Sequence, residues 1–343
     1  VKREATGILC NKNKSIKENN LMKRKLCKYV LIPVVATMLS LSAVAQEMDK
    51  VSVAIGQRGL WDTLVVHQGV EEGIFAEENL SVDMTWTKGG AETLQAVTTR
   101  SVDMGFVNGM LGILGAYQRG APVRIIGAEM TGAGDLFWYA KSDSDLKSLA
   151  DAEGATVGYS RPGASSHLVL LNLLAKAGVD AETVSAGGIS DNRTQVMSGQ
   201  LDAGWSVPPF NLDLIAAGDL RIIAKGGDLP ELAEQTVRAN ISNTTFLTER
   251  RDVAKRFMRA YMKTVDWMYD NKDKAIERFA AFNNIDLEIA KDAAAFYPKE
   301  ALLSVPVKGL DKTIQEAIEH DALREPLSQE QIDELLDYVY DPR

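Results

Sequence analysis

From Val51 onward, short apolar runs of strand length alternate with longer stretches in which apolar residues recur every three or four positions. The pattern predicts strands over 51–55, 82–86, 103–107 and 123–128, separated by helices over 61–75, 92–99 and 111–119. After 136–140 the same rhythm restarts, with strands over 156–159, 183–186, 203–207 and 220–224 and helices over 167–177, 193–198 and 212–217. From 251 the chain reads as helices over 251–271, 274–282, 287–295, 312–320 and 329–338. Ser328 and Gln331 form a capping box at the start of the last one. Such alternation defines an α/β chain and implies parallel-type sheet covered on both faces.

The rhythm also repeats itself. QAVTTRSVDMGFV (95–107) resembles QVMSGQLDAGWSV (195–207) with one residue of slip. Each has a helix end, a polar break, then Asp-x-Gly and an aromatic: Asp103, Gly105 and Phe106 in one, Asp202, Gly204 and Trp205 in the other. Two halves of like build are expected.

In such sheets the ligand crevice lies beyond the carboxyl ends of the strands. The residues expected there are Gln57, Arg58 and Trp61 after the first strand, Lys88 and Gly89 after the second, and Asn108 and Gly109 after the third. Thr131 follows the fourth; Arg161, Gly163, Ser165, Ser166, Trp205 and Pro208 hold the corresponding places in the second half. The stretch GYSRPGASSH (158–167) suits a helix start: Pro162 stops the strand, Gly163 permits the turn, and Ser165 or Ser166 caps. Unpaired N–H groups at a helix start bind acidic or carbonyl oxygens, although capping and turning alone explain the same residues. Trp61, Trp205 and Phe210 are open to two readings, core or ligand platform, since aromatics dominate buried area. Trp205 is the better platform because Pro208-Pro209 ends its strand. Arg58, Lys88 and Arg161 suit an anion; Trp61 and Trp205 suit a ring.

Charge divides the chain in two. Residues 1–45 carry nine Lys/Arg and two Asp/Glu, net +7, and the rest carries net −16, so the overall −9 hides opposite parts. The basic part has an export layout: Met22-Lys23-Arg24-Lys25, an apolar run from Val30 to Val44, and Ala43-Val44-Ala45 as a cleavage pattern. A signal peptide preceded by an upstream extension is expected over 1–45; an uncleaved anchor is the alternative, against which the run is short and broken by Pro33. Cys10 and Cys27 both fall there, which leaves the exported chain without thiol chemistry. The acidic remainder opposes sequence-independent binding to nucleic acid or anionic lipid. No nucleophile elbow, HExxH, Walker loop or GxGxxG occurs. No catalytic residue, metal or cofactor is therefore assigned. His67, His167 and His320 are scattered; His167 follows the Ser165-Ser166 helix start, with solvent its expected neighbour.

Over 51–269 the chain resembles the substrate-binding proteins of ABC importers, in the group that includes nitrate, taurine, alkanesulfonate and thiamine-pyrimidine binding proteins. The resemblance rests on GLWDTLVVHQGVEEGIFAEENLSVDMTW, GGAETLQAVTTRSVDMGFVN, GAPVRIIGA, VGYSRPGASSH and VMSGQLDAGWSVPPF, in that order and spacing. It implies a type II periplasmic binding fold, two α/β lobes joined by a double-crossing hinge, with 46–134 plus 240–343 in one lobe and 135–239 in the other. It implies ligand contact at Gln57, Trp61, Gly89, Asn108, Thr131, Ser165, Ser166 and Trp205. The function implied is that of a soluble periplasmic receptor, monomeric, that traps a small organic solute (sulfonate-, taurine- or nitrate-like, or another small organic anion). It would deliver that solute to an ABC permease driven by a cytoplasmic ATPase. Two alternatives share the fold: an aminopyrimidine-binding receptor, and a pyrimidine-synthase-like enzyme whose iron- and cysteine-rich segment has no counterpart here. A receptor that signals through a sensor kinase would use the same fold again.

Overall fold

The computed structural model describes residues 47–343; the segment over which an export signal is expected, with Cys10 and Cys27, lies outside the described residues. Among the described residues ten strands form two five-stranded sheets. The first holds β1 (Asp49–Gly56), β2 (Leu80–Thr87), β3 (Met104–Gly109), β4 (Val123–Thr131) and β10 (Thr236–Asn243), in the order β2-β1-β3-β10-β4. The second holds β5 (Phe137–Lys141), β6 (Thr156–Tyr159), β7 (Glu182–Ser185), β8 (Ala203–Ser206) and β9 (Leu220–Lys225), in the order β7-β6-β8-β5-β9. The chain thus passes between sheets twice, between β4 and β5 and between β9 and β10.

The sheets are mixed rather than parallel throughout. β1, β2 and β3 run parallel, as do β6, β7 and β8, but β10 is antiparallel to β3 and β4, and β5 is antiparallel to β8 and β9. The strands that arrive directly from the other sheet, β5 and β10, are the reversed ones, because no crossover helix turns the chain back on itself before they pair. β10 escapes the hydrophobic pattern: Thr236, Arg238, Asn240 and Ser242 alternate with apolar residues as on a wet face, yet the whole strand is buried.

The internal echo has a physical meaning. Asp103 Oδ2 accepts from both the backbone N–H and the hydroxyl of Ser52, each at 2.8 Å, and Asp202 Oδ2 does the same to Thr156, again at 2.8 Å. Each aspartate therefore ties the start of the middle strand of its sheet, β3 or β8, to the neighbouring strand, β1 or β6. The glycine two residues on lets a helix valine lie flat on the sheet: a Cβ at Gly105 would meet Val97 Cγ2 at 2.7 Å, and one at Gly204 would meet Val196 Cγ2 at 2.9 Å.

The C-terminal helices cover the first sheet. The longest, Arg251–Asp270, buries Ala254, Phe257, Met258, Tyr261, Val265 and Met268 along one stripe. Phe257 meets Phe75 and Phe106 there at ring separations of 4.8 and 5.5 Å. Burying one such phenylalanine stabilises the fold by about 1.5–3 kcal/mol. The final helix has its capping box but stops at Leu335, short of 338, because Leu336 pairs with Ile125 at the edge of β4. Among the described residues no helix is long and apolar enough to cross a membrane.

Candidate functional site

β1 and β3 end at Gly56 and Gly109, and β6 and β8 end at Tyr159 and Ser206. These four carboxyl ends face one another across a cavity of ≈ 50 Å³. Three helices begin at it: Gly90–Thr98, Met110–Gln118 and Ser165–Ala177. First-turn N–H groups have no intrahelical acceptor, so the cavity is bordered by free donors and the positive ends of helix dipoles. Lys88 stands beside them, and the Trp205 ring, 7% exposed, forms an apolar wall with Leu60, Leu136 and Val207. Trp205 is oriented by its indole N–H, which donates to the Gly187 carbonyl at 3.3 Å.

The second-half loop is held from within. Ser166 Oγ accepts the Ser160 N–H at 3.1 Å and lies 2.7 Å from Ser160 Oγ. Neither Ser165 nor Ser166 caps the helix; Ala164 occupies that position without a side-chain bond. Serine here fixes the loop and faces the cavity instead.

At one edge the two halves touch through backbone. The Gly112 N–H, in the first turn of its helix, donates to the Gly163 carbonyl at 3.0 Å. Only glycine allows this approach: a Cβ at Gly109 would sit 2.5 Å from Gly163 O, and one at Gly163, where φ is +82°, would sit 2.9 Å from Gly112 Cα. Arg161 reaches across to Glu92 at 3.0 Å. The enclosed space is a fraction of the roughly 300–1,000 Å³ of a small-molecule site, so admitting a solute requires the halves to part.

Of the residues expected to bind, Gln57, Lys88, Gly89, Gly109, Ser165, Ser166 and Trp205 line the cavity. The others stand elsewhere. Trp61 is fully buried in the core of the first half, its N–H on Tyr269 Oη at 3.3 Å and its ring against Phe279. Arg58 lies over the Phe282 ring at 3.9 Å on the outside. Asn108 is buried and donates to the Ala239 carbonyl, tying β3 to β10. Thr131 pairs with Thr236 between strands. Arg161 and Gly163 join the halves, and Pro208 is buried outside the lining. Strand-end position alone does not say whether a side chain points along the strand axis or into a layer, which is why half the set is structural.

Arg238, on β10, lines the cavity and was not anticipated. Its Nε donates to Glu129 at 3.0 Å, and its Nη2 donates to Asp62 at 3.0 Å and to Asp135 at 2.7 Å. The signal was present: an arginine inside a strand-length segment, with acidic residues flanking the first crossing.

His167 is stacked on Tyr159 at 4.4 Å between ring centres and accepts from the Gly163 N–H. Burial, and secondarily His320, lower its pKa to about 4. It is neutral near pH 7 and faces a separate recess with Arg119, His320 and Asp321, not the cavity.

Two α/β halves, two connecting crossings and a cavity at facing strand ends define the fold of the periplasmic binding proteins. The alkanesulfonate-binding protein SsuA from Xanthomonas axonopodis pv. citri, solved with MOPS bound, superposes with a TM-score of 0.72 at 18% identity, over 86% of this chain and 98% of that one. The periplasmic aliphatic sulphonate binding protein SsuA from Escherichia coli gives 0.66 at 17% identity, over 82% and 91%. The family described as NMT1/THI5 like matches residues 64–275, and the chain belongs to it. It is 25% identical over 219 residues to the formylaminopyrimidine-binding protein of Halalkalibacterium halodurans, a match covering 62% of this chain and 64% of that protein's length.

Proposed function

We propose that this protein is an extracytoplasmic solute receptor that traps one small organic molecule between its halves and hands it to an ABC permease with a cytoplasmic ATPase. The observation that carries the reading is the cavity itself, bordered by helix starts from both halves and walled by Trp205. A solute bound there bridges the halves and favours the closed form by its differential affinity for that form. Acceptor oxygens of a sulfonate or carboxylate meet the helix starts around Gly90 and Ser165 and the Lys88 ammonium, while the carbon body lies on Trp205. Catalysis has no assigned residue in this scheme; the receptor binds and releases its solute unchanged.

A second reading is favoured by a specific observation. With Arg58 over Phe282 and Arg161 paired to Glu92, one of the three basic residues expected at the site, Lys88, lines it. An uncharged ring with carbonyl or ring-nitrogen acceptors fits such a site, and the relative just described is named for a formylaminopyrimidine. Thermal-shift titration with an alkanesulfonate and with formylaminopyrimidine separates the two readings. Native mass spectrometry of the protein purified from its own periplasm tests their common premise. A retained small molecule supports that premise; conversion of either probe to a new product would overturn the receptor reading.

A further inference from the structure

Asp62, Glu129, Asp135 and Arg238 form an island of charge beneath the cavity, and the charges do not balance. Each carboxylate has no exposed side-chain surface, and Arg238 has 4%. Three ionised carboxylates against one guanidinium would leave two negative charges in a low-dielectric interior, where an uncompensated ion is among the costliest arrangements a fold can hold. Hydrogen bonding points the same way. Glu129 Oε1 and Asp135 Oδ1 are buried and accept from no described group. An anionic oxygen without a donor is poorly solvated; one that carries or shares a proton is not.

Among the described residues the neighbours offer no second cation. Tyr261 and Tyr269 come from the helix Arg251–Asp270, and Tyr297 comes from the segment after the next two helices. Burial pushes all three phenols up, so they remain neutral. Asn240, next along β10, is uncharged. Burial first, and then the adjoining Asp62, push the Glu129 carboxyl well above the usual carboxylate range, against the pull of Arg238.

The position of the island gives it a role. Glu129 lies near the end of β4, and Asp135 lies in the first crossing between the sheets. Arg238 lies just after the second crossing, and Asp62 opens the helical turn that follows β1. Arg238 is therefore bonded to the strand that enters one crossing and to that crossing itself, from the far side of the other.

We propose that this cluster is a proton-binding site: Glu129 holds one proton, shared with Asp62, and the protonated cluster clamps the two crossings on which the halves turn. The proton halves the excess negative charge from two to one, Arg238 reaches the cavity with its own charge met by Asp62 and Asp135, and the clamp acts whether or not a solute is present.

The test needs no solute. Glu129→Gln keeps the shape of a protonated glutamate. The folded protein retains a proton at this site that the unfolded chain has released above pH of about 4.3. Above pH of about 5 the folding equilibrium constant of the native protein should fall relative to that of E129Q, by up to tenfold per pH unit. The difference levels off once Glu129 itself ionises. A difference that stays flat across the whole range overturns the proposal. Infrared spectroscopy in D2O gives an independent readout on the unmodified protein: a carboxylic-acid carbonyl band is expected in the native state at neutral pH. It should be lost in E129Q and kept in Asp135→Asn. Absence of the band from the native protein, or its loss in D135N with retention in E129Q, overturns the assignment.

Discussion

Gly109→Ala isolates closure from folding. Gly109 has φ −63° and ψ 133°, an extended conformation open to any residue. The three atoms nearest to an added methyl group all belong to the opposite half: Gly163 O at 2.5 Å, Ala164 Cα at 2.8 Å and Ser165 N at 2.9 Å. Ordinary contact begins at 3.4 Å, so the halves must back away by about 0.9 Å. The Gly112–Gly163 hydrogen bond, now 3.0 Å, would then open past bonding distance, a net loss of about 0.5–1.5 kcal/mol. The exposed Arg161–Glu92 pair adds about 0–1 kcal/mol. Together these give about 1–2 kcal/mol against the closed form and, for a solute-bound form that restores the Gly112–Gly163 contact at this edge, solute affinity about 5- to 30-fold weaker. Unfolding of the solute-free protein should change by less than about 1 kcal/mol, since alanine fits the backbone there. Isothermal titration with the solute recovered from the native protein measures the first quantity, and chemical denaturation the second. Gly112→Ala is the control: its methyl would stand 3.3 Å from the same carbonyl and should cost far less. Native affinity in G109A, or equal losses in both variants, would refute the steric argument.

Trp61→Ala should cost about 3–5 kcal/mol of stability, as for a large ring removed from a packed core, while any protein that remains folded binds solute with native affinity; denaturation and titration measure the two. Trp205→Ala should weaken binding at least tenfold, about 1.4 kcal/mol, and lower solute-free stability by less than Trp61→Ala does; the reverse order would move Trp205 from the site to the core. His167, lowered to about 4 from 6.5 by burial, contributes stability that is fully present above pH 6.5 and is lost as pH falls through 4. His167→Gln should therefore flatten the fall of the thermal midpoint over that interval.

How far the sequence carries depends on which force places each residue. Strands and helices driven by periodic apolar burial are legible: the strand over Thr156–Tyr159 falls where the pattern puts it, and the helix expected over 167–177 runs from Ser165 to Ala177 with Leu168, Leu170, Leu173 and Leu174 buried. The Asp-x-Gly echo is legible too, because one hydrogen-bond pattern and one close helix contact constrain the same residues in both halves. β10 is not, since its polar face is buried against other polar groups that lie far away in sequence. The site shows the same division. Glycines and serines at helix starts announce themselves through backbone requirements. The destinations of Trp61, Asn108 and Thr131 depend on partners contributed by Tyr269, Ala239 and Thr236, which no local pattern connects. Arg238 is conspicuous as a charge inside a strand-length segment, but its partners are not readable locally, because they come from the turn at Asp62, the end of β4 and the first crossing.

The central claim is that one small molecule is gripped at once by both halves. A crystal structure of the protein purified with its captured solute tests it most directly. The solute should touch Lys88 or Gly90 on one side and Ser165 and Trp205 on the other. Density for the solute against a single half, or in a recess away from these strand ends, would contradict the account.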